Sequence, residues 1–196
     1  MTKENLNIKS EDSDLISSFL KGNQNAFNFI VRKYQERIYW VTRKMVLNHD
    51  DADDITQEVF LKIYNSLKEF RGESQLFTYM YRIAINLSLN HLNKNNKIIS
   101  RSVNIENTDV SSKDISADEK IDAFEKTKLL EEAIESLPAQ QRAVFNMRYY
   151  DNLSYDEISI LLKKSTGGMK ANYFHAIKNI QKFLKSSKMY EVMEQN

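Results

Sequence analysis

The sequence of 196 residues has no cysteine, one proline and only four glycines. Without cysteine there are no disulfides and no thiolate metal sites, which fits a reducing compartment. So few glycines and prolines leave little material for the tight turns of a many-stranded sheet, and an all-α fold is expected. Imidazole is scarce as well: His49, His91 and His175 stand far apart along the chain. Long apolar runs are missing, none approaching the roughly 20 residues that cross a bilayer. The polar start MTKENLNIKSED has no apolar signal core. A cytoplasmic protein without direct membrane insertion is expected. The rest of the composition is ordinary, 41% hydrophobic and 28% charged, and the length allows one medium domain or two small ones.

The net charge of +1 conceals a segregated pattern. From Leu153 to Lys188 seven lysines face two acids, a local balance of +5. From Glu106 to Glu135 ten acids face four lysines, giving −6. His49-Asp50-Asp51-Ala52-Asp53-Asp54 forms a second acidic knot. Separate blocks of opposite sign indicate separate surfaces for separate partners.

Helical periodicity runs through most of the chain. Asp12 to Leu20 predicts a short amphipathic helix, with Leu15, Ile16, Phe19 and Leu20 inward and Gly22 closing it. A second helix is predicted from an Asn25 cap to about Leu47, with Phe27, Ile30, Val31, Tyr34, Ile38, Val41 and Met45 on its core side. The acidic knot suits the positive end of a third helix's dipole, and Ile55, Val59, Ile63 and Leu67 then recur every four residues. A loop at Phe70-Arg71-Gly72-Glu73-Ser74 precedes a fourth helix, from about Gln75 to about Leu92, with Phe77, Tyr81, Ile85 and Leu89 in register. Periodicity fades at Asn93-Lys94-Asn95-Asn96-Lys97, and 97–116 reads as a polar, flexible linker. It resumes at Ser116-Ala117-Asp118-Glu119, a capping-box spacing, through Phe124, Leu129, Leu130, Ala133, Ile134 and Leu137. Pro138 is placed to start the next helix, which carries Val144, Phe145 and Met147 inward.

Residues 153–184 carry the strongest local signal. Ser154 stands three residues before Glu157, another capping box, ahead of Ile158, Leu161 and Leu162. Ser165-Thr166-Gly167-Gly168 suits a turn and the start of a new helix. Met169, Tyr173, Ile177, Ile180 and Leu184 form that helix's apolar stripe, and Lys170, Asn172, His175, Lys178 and Lys182 fall largely off it. A helix-turn-helix presents a recognition helix to the major groove in this way; a bland helical hairpin with a solvated lysine face is the plainer reading.

The order of motifs says more than any one. Asp53-Asp54-Ile55-Thr56-Gln57-Glu58-Val59-Phe60, the Phe70–Ser74 loop, and Thr78-Tyr79-Met80-Tyr81-Arg82-Ile83-Ala84-Ile85-Asn86 closely resemble the promoter-melting domain of extracytoplasmic-function sigma factors, the small two-domain members of the sigma-70 family. Leu137-Pro138, Arg142, Tyr149, Ser154-Tyr155, Ile158 and the lysine-bearing helix resemble their C-terminal domain, which reads the −35 element. The resemblance implies a tail over 1–11, a region 2 domain over 12–96, a linker over 97–116, a region 4 domain over 117–190 and a tail over 191–196.

It also implies roles. Asp54, Gln57, Glu58 and Lys62 would dock on the clamp helices of the RNA polymerase largest subunit. The loop from Phe70 to Leu76 and the helix after it would take an unstacked base of the −10 element, with Phe70, Arg71, Ser74, Phe77, Arg82 and Asn86 in contact. Unstacking costs a few kcal/mol, which a pocket or aromatic platform offsets. Phe77 and Tyr81, four residues apart, read as core ahead of base-stacking. Arg82, Lys94, Lys97 and Arg101 would hold phosphates. In the second domain Thr166, Lys170, Ala171, Asn172, Phe174, His175 and Lys178 would face −35 DNA, Asn suiting adenine and Lys guanine or a phosphate. An anti-sigma factor is an implied partner; catalytic residues, metals, cofactors and small-molecule substrates are not. Three departures stand out against relatives: Tyr79 for Trp, Lys163-Lys164 for Gly and an aliphatic residue, and Asn172 and His175 for frequent arginines.

Three other readings compete. A stand-alone helix-turn-helix regulator leaves the Asp53–Asn86 block unexplained and needs a dimer interface that is not visible. A helical adaptor makes the basic helix decoration. An enzyme built on Asp51, Asp53, Asp54 and Glu58 lacks histidine support.

Overall fold

The computed structural model describes the backbone of residues 6–102 and 119–186, and the side chains of residues 6–95 and 127–186. Every regular element among the described residues is helical. The chain divides into two compact units, Met1–Asn90 and His91–Asn196.

The first unit begins with α1 (Asp12–Leu20) and α2 (Gln24–Val46). Gly22, at φ 96°, makes the turn between them and donates its N–H to the Phe19 carbonyl; a left-handed backbone costs glycine nothing. The cap of α2 is Asn23, whose side chain accepts from the Asn25 N–H, so the capping residue lies two positions before the expected one. Leu15 is buried and Ile16 and Phe19 are half-buried, but Leu20 is 51% exposed, against the inward position its period predicts.

Next, α3 (His49–Ser66) starts on an Asn48 cap with Asp50 and Asp51 in its first turn. It packs along α2. Ile55, Val59 and Ile63 on α3, with Leu67 in the 3-10 turn Leu67–Glu69, are buried as their four-residue repeat predicts. Opposite them lie Phe27, Ile30, Tyr34, Ile38 and Met45. A polar pair sits inside this seam. The hydroxyls of Thr42 and Thr56 lie 2.9 Å apart; one donates to the other, and the one that accepts donates to a backbone carbonyl, Tyr39 for Thr42 or Ala52 for Thr56. Beside fully buried Ala52, these small side chains let the two helices approach closely.

The loop after the 3-10 turn leads into α4 (Leu76–Ser102), which extends well past Leu92. Loss of apolar periodicity at Asn93–Lys97 marks the end of packing. It does not mark the end of the helix, because no glycine or proline breaks it there. The first part of the expected linker is therefore helical; its remainder, 103–116, and the Ser116 cap lie outside the described residues, as do the extreme termini.

The second unit contains α5 (Glu119–Glu135), α6 (Ala139–Tyr149), α7 (Tyr155–Leu162) and α8 (Thr166–Ser186). Pro138 sits at the N-cap position of α6. Ala133, Ile134, Leu137, Phe145, Ala176 and Ile180 form its core, with Leu130, Tyr173, Ile177 and Leu184 packed against it. Arg142 is buried among them at 6% exposure and donates to the Glu135 carbonyl, closing the α5–α6 corner; burial holds its pKa below the usual arginine value.

No helix among the described residues is long and apolar enough to cross a membrane.

Candidate nucleic-acid interface

The helix-turn-helix forms as its caps dictate. The Ser154 hydroxyl accepts from the Glu157 N–H at 3.2 Å, and the Glu157 carboxylate accepts from the Ser154 N–H at 2.7 Å. The carboxyl pKa is held below the usual glutamate range, first by the side-chain hydrogen bond and then by the backbone one. Lys163, in the left-handed region at φ 52°, ends α7. The turn is thus made by a lysine in a conformation that normally favours glycine. Ser165 accepts from the Gly168 N–H at 3.2 Å and so caps α8. A Cβ at Gly168 would meet that same Ser165 hydroxyl at 3.1 Å.

Along α8, Met169, Ala176 and Ile180 face the core. Lys170, Ala171, Phe174, His175 and Lys178 are exposed together, with Phe174 64% exposed and its ring edge-on to His175. Two other expected DNA contacts are already engaged. The Thr166 hydroxyl donates to Asp156 Oδ1 at 2.9 Å, tying the start of α8 to α7. The Asn172 amide donates to the Gly168 carbonyl one turn back, at 2.8 Å.

In the first unit, Asp54, Gln57, Glu58 and Lys62 lie exposed on one side of α3, with Glu58 and Lys62 paired at 3.5 Å. An exposed pair of this kind is worth little to stability. Leu61, 65% exposed, belongs to the same row by helical spacing, and sequence reasoning passed over it. Tyr64, one turn on, is 42% exposed and makes edge contacts with Phe19 and Phe27.

The loop before α4 borders a groove of about 860 Å³. Phe70, Arg71, Ser74 and Phe77 all line it. Phe77 serves as floor rather than as an open stacking face: the Arg37 guanidinium lies 3.7 Å from its ring centre, and the Tyr34 ring stacks on it. Arg82 and Asn86 are on the same helix but outside the groove lining, with the Arg82 guanidinium 5.5 Å from the Tyr79 ring. Tyr79 also packs on Phe70 and donates to Ser66, so it fills its position with an aromatic body and a tether. Lys94 is exposed; the side chains of Lys97 and Arg101 are outside the described ones.

The opposite wall comes from α1, which sequence reasoning left without a role. Asp12 accepts from Tyr34 Oη at 2.6 Å and from Lys33 Nζ at 2.8 Å. Burial and then the Asp12 hydrogen bond push the Tyr34 phenol well above its ordinary pKa. Among the described residues no three histidine or carboxylate side chains gather into a group that would hold a metal.

Both units match known families. The family model for sigma-70 region 2 matches residues 30–98, and that for sigma-70 region 4 matches residues 127–180. The RNA polymerase sigma-H factor of Pseudomonas aeruginosa is 30% identical over 185 residues, covering 90% of this chain and 95% of its own. The ECF RNA polymerase sigma-E factor of Escherichia coli is 33% identical over 172 residues, covering 84% and 90%. The fold resembles that of the sigma factor RpoE from Bartonella quintana, solved with the anti-sigma factor NepR, at a TM-score of 0.59 and 18% identity over 83% of this chain and 98% of the other. It also resembles CnrH, solved with the cytosolic domain of CnrY, at 0.59 and 17% over 90% and 99%. The chain belongs to the sigma-70 family, as an RNA polymerase sigma factor of the extracytoplasmic-function type built from regions 2 and 4.

Proposed function

We propose how the work of such a factor is divided in this chain. The α3 row of Asp54, Gln57, Glu58 and Lys62 docks on the clamp helices of the polymerase largest subunit. The loop from Phe70 to Leu76 takes an unstacked base of the −10 element, and Arg82 and Asn86 follow the strand beyond the groove. The exposed face of α8 reads the −35 element. The observation that carries the reading is that α8 exposes lysines, an aromatic ring and an imidazole together behind a capped turn. Such a face suits phosphates and base edges, and a merely solvated face does not need Phe174 in solvent.

Thr166 and Asn172 take part differently from the first expectation. Thr166 braces the turn so that the first amides of α8 face a phosphate. Asn172 exchanges its bond to Gly168 for one to a base, so its contribution is the difference between two hydrogen bonds.

The protein works in the cytoplasm and performs no bond-making step itself; the polymerase supplies that chemistry. The similar fold solved with the anti-sigma factor NepR supports a protein partner of the same kind here. Charge reversal at Asp54 and Glu58 tests the docking assignment. Binding to core polymerase should be abolished with helical content unchanged; unchanged affinity removes it.

A further inference from the structure

The groove bordered by the Phe70–Leu76 loop is far larger than one base, and its charged side chains stand on different elements. Arg71 comes from the loop, Glu11 and Asp12 come from the start of α1, Lys21 from its C-terminal end and Arg37 from α2. Asp12 is the ordered one. Lys33 donates to its Oδ1 and to the Ser10 carbonyl, while Tyr34 donates to its Oδ2, so the carboxylate has a fixed orientation. An ionised carboxylate offers about four acceptor positions and no donor; two are used by these bonds. The side chain remains 28% exposed, so acceptor capacity is left at the groove. The Lys33 ammonium offsets its charge, which lessens repulsion of a nearby phosphate.

An acceptor without a donor, held beside an aromatic floor, matches an exocyclic amino group and clashes with a carbonyl edge. Cytosine, adenine and guanine present such an amine on their pairing faces; thymine presents two carbonyls around one ring N–H. We propose that Asp12 is a specificity-determining residue that selects an amino-bearing base over thymine in this groove, with Tyr34 and Lys33 as its positioning residues. The proposal rests on the reading that the Phe70–Leu76 loop captures an unstacked base.

The test uses holoenzyme made from bacterial core polymerase and the full chain, on a promoter the wild type transcribes, with its −10 element randomised. Sequencing of transcribed templates should show one position at which an amino-bearing base outweighs thymine by about tenfold or more, the usual strength of a hydrogen bond to a charged group. Asp12→Asn, which keeps one oxygen as acceptor and turns the other position into an N–H donor, should flatten or invert that preference and leave the −35 profile unchanged. Tyr34→Phe should weaken it at the same position. Ser13→Trp, at an exposed site on the same wall, should obstruct the groove and lower transcription severalfold while core binding is unchanged. If Arg71→Ala alters the −10 profile but Asp12→Asn and Tyr34→Phe do not, or if Ser13→Trp is fully active, the Asp12 assignment is overturned and the loop reading survives. If Arg71→Ala also changes nothing, the loop reading falls, and this proposal with it.

Discussion

Side chains on α8 differ in what they can give to DNA. Lys170 and Lys178 are exposed and, on the proposed reading, free to reach a phosphate or guanine, whereas Asn172 must first leave the Gly168 carbonyl. Lys170→Ala combined with Asn172→Ala should therefore weaken use of the −35 element in transcription without changing affinity for core polymerase. The lysine change should also reduce the salt slope of DNA binding by about one, as loss of one phosphate contact does. The pairing of Ser154 with Glu157 makes a second residue-level prediction. The lowered Glu157 pKa means that its stabilisation is fully present above the ordinary value of 4.5 and is lost as pH falls through the lower value in the fold. Ser154→Ala, which leaves the backbone N–H in place, should reduce that acid-side dependence in the thermal unfolding of the second unit. An unchanged pH profile would show that the cap does not couple to stability.

At the scale of elements, α3 has two faces with separable tasks. Ile63 is fully buried against α2, and Ile63→Ala should cost about 2–5 kcal/mol in chemical denaturation. Substitutions on the exposed row should leave stability nearly unchanged while altering polymerase binding. This division was legible in the sequence because apolar residues every four positions leave the acids and Gln57 on the other side. The caps of α7 were equally legible, since Ser154 and Glu157 need only their spacing. The end of α4 was not: Asn93–Lys97 has lost its apolar stripe but keeps a helix-compatible backbone. Nor was the Thr42–Thr56 bond, because hydroxyls buried between helices leave no period of their own. The α1 wall of the groove was hidden for a different reason. Asp12 and Phe70 are far apart in sequence, and only the tertiary fold brings their elements to one groove.

For the whole molecule, two units on one chain make a bipartite reader. Each contact is weak alone, and holding one raises the effective concentration of the other. The separation of a basic C-terminal segment from an acidic stretch between 106 and 135 fits surfaces with different partners. The free protein should consequently bind duplex promoter DNA poorly, with an affinity that falls steeply as salt rises. Tight, specific promoter binding by the isolated protein at physiological salt would favour a stand-alone regulator. The most direct test of the division of labour is to mix the purified protein with bacterial core RNA polymerase, measure binding, and transcribe a genomic fragment library. Submicromolar binding, discrete new start sites sharing two upstream elements, and loss of both on charge reversal at Asp54 and Glu58 are the predicted result. A folded protein that leaves competent core polymerase unbound, or whose start sites survive that reversal, would contradict it.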